Sequence, residues 1–222
     1  MQAQVKICGI TTGQALETAI AGGADYIGLV MFPKSPRHLD LADANALASA
    51  ARGRTRSVVL LVDPEDALFD QVCAEIAPDL IQLHGRETPE RVRELRARGS
   101  IPVIKAVSVA TAADIAKADA YRQAGGADVI LFDAAPSLAS GATLPGGNGL
   151  RFDWQILDGI ARRFPFALAG GLDADNVAEA IRLTGAAIVD VSSGVESSPG
   201  VKDLQRIAAF LKAAKSPNLQ AG

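Results

Sequence analysis

Side chains that can transfer protons lie at the ends of the apolar runs in this sequence. Cys8 lies near the end of the first run, residues 5–9, and Asp133 ends the sixth run, residues 129–133. A thiol acts as a base when a neighbouring cation favours the thiolate, and Lys6 lies two residues before Cys8 on the same strand face. Asp133 acts as an acid if it is protonated when substrate binds. The pair predicts acid–base chemistry. The equally weighted alternatives are that Cys8 is only a small buried apolar residue and that Asp133 only caps a helix or forms an ion pair.

Two glycine-containing turns late in the chain predict a site for a phosphate group. Residues 166–200 contain two short apolar runs with a helical pattern between them, which together form a βαβ unit of parallel strands. Both turns therefore emerge at the carboxyl edge of the sheet, where bare backbone N–H groups and a helix N-terminus bind anions. The residues predicted to bind phosphate are Gly170, Gly171, Ser193 and Gly194. The alternative is that these glycines only turn the chain.

Three further polar residues are candidates for the same site. Arg37 lies in a polar loop after the second apolar run, and its planar guanidinium can hold a carboxylate, although a solvated loop charge is the alternative. His84 ends the fourth strand and is expected to order a loop or line the substrate pocket. His38 is the only other histidine and no paired-histidine motif occurs, so we expect no metal site. Lys105 lies in an apolar strand and is expected to point into the enclosed interior, which keeps a Schiff-base reaction open.

Eight strand-then-helix units follow one another without a linker. The apolar runs are continuous rather than alternating, which indicates a parallel sheet covered by helices on both sides. We expect residues 1–215 to form a single-domain (β/α)8 TIM barrel, with 216–222 as a flexible tail. The active site of such a barrel lies at the carboxyl ends of its strands, where the candidate residues fall.

Capping signals predict where several helices begin. Thr11 and Gln14 have the spacing of a capping box, and Asp63 and Thr88 are each followed by a proline that opens a helix. Asp173 is placed to cap the helix between the two glycine turns. Two later helices are expected at 153–162 and 201–214.

Composition excludes several classes of function. The chain of 222 residues has a net charge of -3 and a pI near 5.4, which argues against nucleic acid or a membrane surface as the main partner. Cys8 and Cys73 imply no disulfide framework, and Cys73 lies in a helical pattern with an expected structural role. No G-x-G-x-x-G follows the first strand, and no apolar run approaches 18 residues. We therefore expect a cytoplasmic protein that uses no cofactor.

Short motifs recur in a fixed order along most of the sequence. They are residues 5–11 (VKICGIT), 35–37 (SPR), 80–85 (LIQLHG), 131–133 (LFD), 146–149 (GGNG), 152–154 (FDW), 168–172 (LAGGL), 176–177 (NV) and 190–196 (DVSSGVE). Their order and spacing resemble those of the phosphoribosylanthranilate isomerase family, (β/α)8 enzymes of tryptophan biosynthesis. The resemblance covers residues 5–211, and D-V-S-S-G-V-E together with K-I-C-G-I-T is highly specific.

The resemblance implies a role for each matching residue. Cys8 corresponds to the general base, Asp133 to the general acid, and Arg37 to the arginine that holds the anthranilate carboxylate. The turns at 170–171 and 193–194 correspond to the phosphate-binding backbone. The implied reaction is an Amadori rearrangement of a phosphorylated aminoaldose, N-(5-phosphoribosyl)anthranilate, without metal or cofactor, by a monomer or a homodimer.

The sequence departs from the family pattern at two places. Asn148 stands third in the G-G-x-G loop, where the family has Thr or Ser, and Ala134 and Ala135 follow Asp133, where a polar residue is common. Asn keeps a hydrogen-bonding side chain, so we expect activity to survive. The competing hypotheses are a metal-dependent epimerase, an aldolase using Lys105 and a non-catalytic binder of phosphorylated ligands. The sequence also leaves open whether the protein accepts a histidine-pathway aminoaldose as a second substrate.

Overall fold

The computed structural model describes residues 2–135 and 152–216, which contain a closed barrel of eight parallel strands in sequential order. The strands are β1 (Gln4–Cys8), β2 (Tyr26–Val30), β3 (Arg56–Leu61), β4 (Leu80–Leu83), β5 (Val103–Val109), β6 (Val129–Ala134), β7 (Phe166–Leu168) and β8 (Ile188–Val191). β8 pairs with β1, so the sheet has no free edge. The predicted (β/α)8 barrel is confirmed.

Helices follow the strands and pack on the outside of the barrel. They are α1 (Gly13–Ala21), α2 (Leu41–Ala51), α3 (Asp66–Gln71), α4 (Pro89–Gly99), α5 (Ala112–Gln123), α6 (Ile160–Arg163), α7 (Val177–Thr184) and α8 (Leu204–Ala214). A two-stranded antiparallel hairpin of β9 (Glu196–Ser198) and β10 (Val201–Lys202) lies between β8 and α8. The predicted G-G-N-G loop with Asn148, and all of the predicted tail except Ser216, fall outside the described residues.

Alternate residues of each strand divide the core into two layers. One face of each strand packs against the helices, as Val103 and Val107 of β5 do. The other face fills the barrel, where Ile104, Ala106 and Leu131 lie in one buried cluster. Because side chains alternate along a strand, every second residue shares the interior. The polar residues of the site occupy this interior at the carboxyl end.

Two of the predicted helix starts can be checked directly from hydrogen bonds. Thr88 caps α4 by accepting from the Arg91 amide at 3.3 Å, with Pro89 in the first turn, so that prediction is confirmed. The cap of α1 is Thr12 rather than Thr11, because the Thr12 hydroxyl accepts from the Ala15 amide at 3.2 Å. The capping-box prediction was wrong by one residue.

The other two capping predictions were wrong for local reasons. Asp63 adopts a left-handed backbone conformation (φ 45°), and its carboxylate accepts from the Arg86 amide at 2.6 Å, joining the loops that follow β3 and β4. Helix α3 begins after Glu65 instead. The Asp173 carboxylate accepts a hydrogen bond from the backbone amide of Asn176 at 3.1 Å, so Asp173 closes the turn before α7. The N-cap residue of α7 is Asn176.

Two helices differ in extent from the sequence prediction. Residues 153–162 form a 3₁₀ turn, Trp154–Leu157, and then α6, because Gly159 takes a left-handed conformation between them (φ 75°). The last helix begins after Asp203 rather than at 201, because residues 201–202 form β10. After α3, the chain continues as a π-helical turn, Val72–Ile76.

Candidate active site

Cys8 and Lys6 lie side by side inside the barrel, as their spacing on β1 predicts. The Cys8 side chain is 5% exposed and that of Lys6 is 1% exposed. The Lys6 ammonium is 2.8 Å from Oδ2 of Asp190, which lies opposite Lys6 on β8. The Lys6 ammonium and the Cys8 sulfur also border the same space beside Gly28 of β2. The three residues form one buried group of a thiol, a cation and a carboxylate.

The surroundings of this group set the protonation of both Lys6 and Cys8. Burial alone lowers the pKa of Lys6, but the nearby Asp190 and Cys8 outweigh burial and hold that pKa above its usual value. Lys6 is therefore a permanent cation at neutral pH. Burial is also the largest effect on Cys8 and raises the pKa of its thiol; Asp190 raises it further, while Lys6 and Lys202 lower it. Lys6 thus offsets part of the cost of forming a buried thiolate.

Gly28 makes room for the Cys8 thiol. It lies opposite Cys8 in the register of β1 and β2. A β-carbon at Gly28 would lie 2.8 Å from the Cys8 sulfur and 3.1 Å from the Lys6 ammonium nitrogen, closer than packing allows. Sequence reasoning did not single out this residue, although an isolated glycine within a strand is a signal of close approach by another group.

Asp133 lies inside the barrel at the end of β6 and is held from two directions. Its Oδ1 accepts from the Ala134 amide at 2.9 Å, and its Oδ2 is 3.2 Å from Nε2 of His84. The Nδ1 of His84 is in turn 2.9 Å from the amide nitrogen of Gln82. All of these side chains are buried. His84, predicted to order a loop or line the substrate pocket, contacts the predicted acid, and its contact with substrate stays a prediction.

The two glycine turns lie against each other and against Asp133. A β-carbon at Gly194 would lie 1.9 Å from the carbonyl oxygen of Leu172, so the turn after β8 touches the turn after β7. A β-carbon at Gly170, where φ is 92°, would lie 2.7 Å from the Ala134 amide nitrogen and 3.1 Å from Oδ1 of Asp133. Any side chain at Gly170 or Gly194 would enter occupied space. Only glycine permits this close approach of the two turns.

Arg37 is buried and paired rather than solvated. The residue is 5% exposed, and the Glu196 carboxylate accepts hydrogen bonds from Nε of Arg37 at 2.7 Å and from its Nη2 at 2.8 Å. Lys202 lies 2.8 Å from the same carboxylate. Burial raises the pKa of Glu196, but the two cations outweigh burial and hold it below its usual value. The hairpin β9–β10 therefore fixes the plane of the Arg37 guanidinium.

The position of Arg37 relative to the barrel is set by Gly9. A β-carbon at Gly9, where φ is 77°, would lie 2.6 Å from Cδ of Arg37 and 3.3 Å from the Ser192 hydroxyl. The Arg37 side chain thus crosses the end of β1, directly after Cys8, and lies near the end of β8. Sequence reasoning missed Glu196 as the partner of Arg37 and Lys202 as the second cation at that carboxylate, because Glu196 is 159 residues from Arg37 in the chain.

Lys105 does not point into the barrel, and this expectation was wrong. It shares the helix-facing side of β5 with Val103 and Val107, and its ammonium lies 5.6 Å from the ring of Tyr121 in α5. The ammonium donates to the carbonyl oxygens of Leu83 at 3.3 Å and Gly85 at 2.8 Å, and to Glu87 at 2.5 Å. A lysine that donates to three acceptors on the helix-facing side of the barrel has a structural role. This argues against the Schiff-base hypothesis.

Comparison with known proteins assigns the chain to a family. Residues 5–213 match the family model described as N-(5'phosphoribosyl)anthranilate (PRA) isomerase. The chain belongs to this isomerase family. It is 53% identical over 215 residues to the N-(5'-phosphoribosyl)anthranilate isomerase of Paramagnetospirillum magneticum, covering 97% of this chain and 98% of that protein. The resemblance seen in the sequence motifs is confirmed.

Solved structures of the family have the same architecture. The crystal structure of phosphoribosyl anthranilate isomerase from Thermotoga maritima superimposes with a TM-score of 0.85 at 35% identity, covering 96% of this chain and 98% of that one. A second structure, with a TM-score of 0.82 and 34% identity over the same shares, holds reduced 1-(o-carboxyphenylamino)-1-deoxyribulose 5-phosphate. These proteins are similar to this chain over nearly their whole length.

Two further features of the described residues bear on the sequence predictions. Among residues 2–135 and 152–216, no group of three or more His, Cys, Asp or Glu side chains is arranged to hold a metal ion. In the same ranges, every helix is too short or too polar to cross a membrane. The cytoplasmic setting and the choice between monomer and homodimer stay sequence-based predictions.

Proposed function

We propose that this protein catalyses the Amadori rearrangement of N-(5-phosphoribosyl)anthranilate to 1-(2-carboxyphenylamino)-1-deoxyribulose 5-phosphate in tryptophan biosynthesis, with Cys8 as general base and Asp133 as general acid. The observation that carries the proposal is the buried thiol of Cys8 beside the Lys6 ammonium, in the same barrel interior as Asp133. Family membership supplies the reaction, and the geometry supports the roles.

The substrate binds through its two charged ends. The phosphate lies at the backbone of the paired turns, where Gly171, Ser193 and Gly194 are only half-buried and so within reach of a ligand. The anthranilate carboxylate lies against the Arg37 guanidinium, whose plane Glu196 fixes before substrate arrives. Holding both ends orients the ribose ring between Cys8 and Asp133, which lowers the entropic part of the barrier.

Ring opening is the task of Asp133. Protonated Asp133 gives its proton to the furanose ring oxygen, the bond from that oxygen to C1 breaks, and the anthranilate nitrogen donates its lone pair to form an iminium ion. Asp133 becomes a carboxylate, which the Ala134 amide and the nearby His84 stabilise. General acid catalysis of this kind contributes about 10² to 10⁴ in rate.

Proton removal is the task of Cys8. Its thiolate takes the proton from C2 of the iminium ion, and the C2–H electrons form the C1–C2 double bond of an enolamine. The enolamine then tautomerises to the ketone by losing the proton of its C2 hydroxyl and gaining one at C1. The Lys6 ammonium stabilises the thiolate that this step requires.

One turnover transfers a proton between the two catalytic groups. The reaction requires the form of the protein in which Asp133 is protonated and Cys8 is a thiolate, and it ends with Asp133 as a carboxylate and Cys8 as a thiol. Because the pKa of the Cys8 thiol is raised, only a fraction of the protein has this form at neutral pH. A proton must therefore return from Cys8 to Asp133, through solvent or through the substrate, before the next turnover. The substrate as a whole gains and loses no proton, which is consistent with an isomerisation.

A fluorescence assay tests the proposal. Phosphoribosylanthranilate is generated in situ, and its consumption is followed in the native protein, Cys8→Ser, Asp133→Asn and the control Cys73→Ser. We expect turnover by the native protein and by Cys73→Ser, and a loss of at least about a hundredfold in kcat in each of the other variants, with KM little changed. Absence of native turnover in the folded protein would overturn the proposed reaction, and near-native rates in either variant would overturn that residue's role.

A further inference from the structure

Gln82 has no part in the proposed chemistry, yet it is one of the most deeply buried polar residues of the barrel. It is 1% exposed and lies on the interior face of β4, between Leu80 and His84. Its amide nitrogen is 2.9 Å from Nδ1 of His84. Its oxygen Oε1 has no hydrogen-bond partner among the described residues. Leaving a buried amide oxygen unpaired costs free energy, so a role for the amide group is needed to explain its presence.

The contacts of His84 define which of its nitrogens carries a proton. The amide nitrogen of Gln82 can only donate, so Nδ1 of the neutral ring accepts and Nε2, which lies 3.2 Å from Oδ2 of Asp133, carries the hydrogen whether or not Asp133 is protonated. The neutral ring then presents a lone pair at Nδ1. An amide N–H of Gln82 satisfies that lone pair, whereas it would oppose an N–H at the same place. The chain of donors runs from Gln82 through His84 to Asp133.

We propose that Gln82 is a positioning residue that fixes His84 as the neutral ring with hydrogen on Nε2 and directs that N–H at Asp133. The inference rests on the proposed role of Asp133 as general acid. It assigns His84 to the support of the acid rather than to direct contact with substrate. The Nε2–H does not yet make a well-aligned hydrogen bond to Asp133 in this structure, and such bonds often tighten only when substrate binds.

The arrangement matters at the moment when Asp133 loses its proton. The new carboxylate then has the Ala134 amide at one oxygen and the His84 N–H near the other, so charge develops where two donors are already in place. An N–H on Nδ1 would leave Nε2 as an acceptor facing the carboxylate. Without Gln82, both forms of the ring become accessible, and support of the carboxylate is lost for part of the population.

Nitrogen NMR of the histidine rings tests the inference without substrate. The chain contains two histidines, so a His38→Gln variant labelled with ¹⁵N-histidine reports on His84 alone. At neutral pH we expect one protonated nitrogen, Nε2, and one unprotonated nitrogen, Nδ1. Gln82→Met keeps the side-chain length but removes the donor, and we expect it to give a mixture of ring forms. Gln82→Glu places an acceptor at Nδ1, and we expect both nitrogens to be protonated.

Kinetics then tests whether the ring form matters for catalysis. We expect Gln82→Met to lower kcat by about tenfold with KM within about twofold, which is less than removal of the acid itself causes. Leu80→Met, two residues earlier on the same buried face, is the control for repacking and is expected to stay near the native kcat. If Gln82→Met does not fold, the native spectrum and the near-isosteric Gln82→Glu still decide the question.

The outcomes separate this inference from the proposed function. A native His84 ring that is protonated at Nδ1 or at both nitrogens would overturn the inference, as would a Gln82→Met variant with the native spectrum or the native kcat. If the native protein does not rearrange phosphoribosylanthranilate, the proposed function fails, whatever the spectrum shows. If the native protein is active and Gln82→Met is indistinguishable from it, only the inference fails.

Discussion

Removing the charge of Lys6 and removing the charge of Asp190 are expected to shift the pKa of the Cys8 thiol in opposite directions. Lys6 favours the thiolate and Asp190 disfavours it. Lys6→Met therefore raises the pKa of Cys8, and Asp190→Asn lowers it. Both substitutions nearly preserve side-chain volume, so packing is similar in the two variants. An opposite response of one thiol to two neighbouring changes is difficult to produce by general disruption of the barrel.

The size of the pKa shift follows from the low effective dielectric constant around buried charges. Two unit charges about 4 Å apart interact by about 4 kcal/mol at an effective dielectric constant of about 20, a value suited to buried sites. Loss of only about 1.4 kcal/mol of that attraction lowers the thiolate fraction tenfold, so we expect at least that decrease in Lys6→Met. Breaking the buried Lys6–Asp190 pair also costs about 3–5 kcal/mol of folding free energy, which thermal unfolding of both variants will show.

The thiolate can be measured by its ultraviolet absorbance as pH is raised. A Cys73→Ser background leaves Cys8 as the single cysteine, and Cys8→Ser in that background gives the blank, including the two tyrosines of the chain. Turnover at fixed pH should follow the thiolate fraction. Unchanged titration of Cys8 in Lys6→Met, or shifts of the same sign in both folded variants, would refute the reasoning.

Three further predictions concern the glycines and the arginine of the site. Gly28→Ala forces a methyl group against the Cys8 sulfur, so we expect a loss of about 1–3 kcal/mol in a denaturant titration together with a lower kcat; native values of both would contradict the assigned role of Gly28. In Gly194→Ala the added methyl group would collide with the Leu172 carbonyl oxygen and displace the turn predicted to bind phosphate, so KM should rise more than kcat falls. Calorimetry should show weaker binding of inorganic phosphate by the same variant. Arg37→Ala removes charge-assisted hydrogen bonds worth about 1.5–3 kcal/mol, so KM should rise about tenfold or more, and unchanged substrate affinity would exclude the carboxylate role.

Short-range patterns explain why much of the site was predictable. Alternation along a strand places Lys6 and Cys8 on one face, and the end of an apolar run places Asp133 at the carboxyl edge of the barrel. The paired glycine turns follow from the βαβ pattern in the same way. These features depend on neighbouring residues, and neighbouring residues are what a sequence displays directly.

Partners that are distant in the chain explain what was missed. Lys105 was assigned to the barrel interior because a charge in the helix layer is costly, but Glu87, 18 residues earlier, pairs with it there. A solvated loop charge was left open as the alternative for Arg37, and Glu196 of the hairpin instead holds the arginine in place. The second strand of the hairpin, β10, was assigned to the start of the last helix. Each error concerns a contact that only the closed barrel brings about.

The removal of the hydrogen at C2 tests the central claim most directly. The substrate is prepared with deuterium at C2 of the ribose, and the product of the native protein and of Cys8→Ser is examined by mass spectrometry and NMR. Proton removal by Cys8 predicts an isotope effect on the chemical step and almost no turnover in Cys8→Ser. The deuterium is released to water if Cys8 exchanges it with solvent, and it appears at C1 if Cys8 returns it to the substrate. Absence of an isotope effect on the chemical step, or consumption of the labelled substrate by Cys8→Ser at the native rate, would contradict the account.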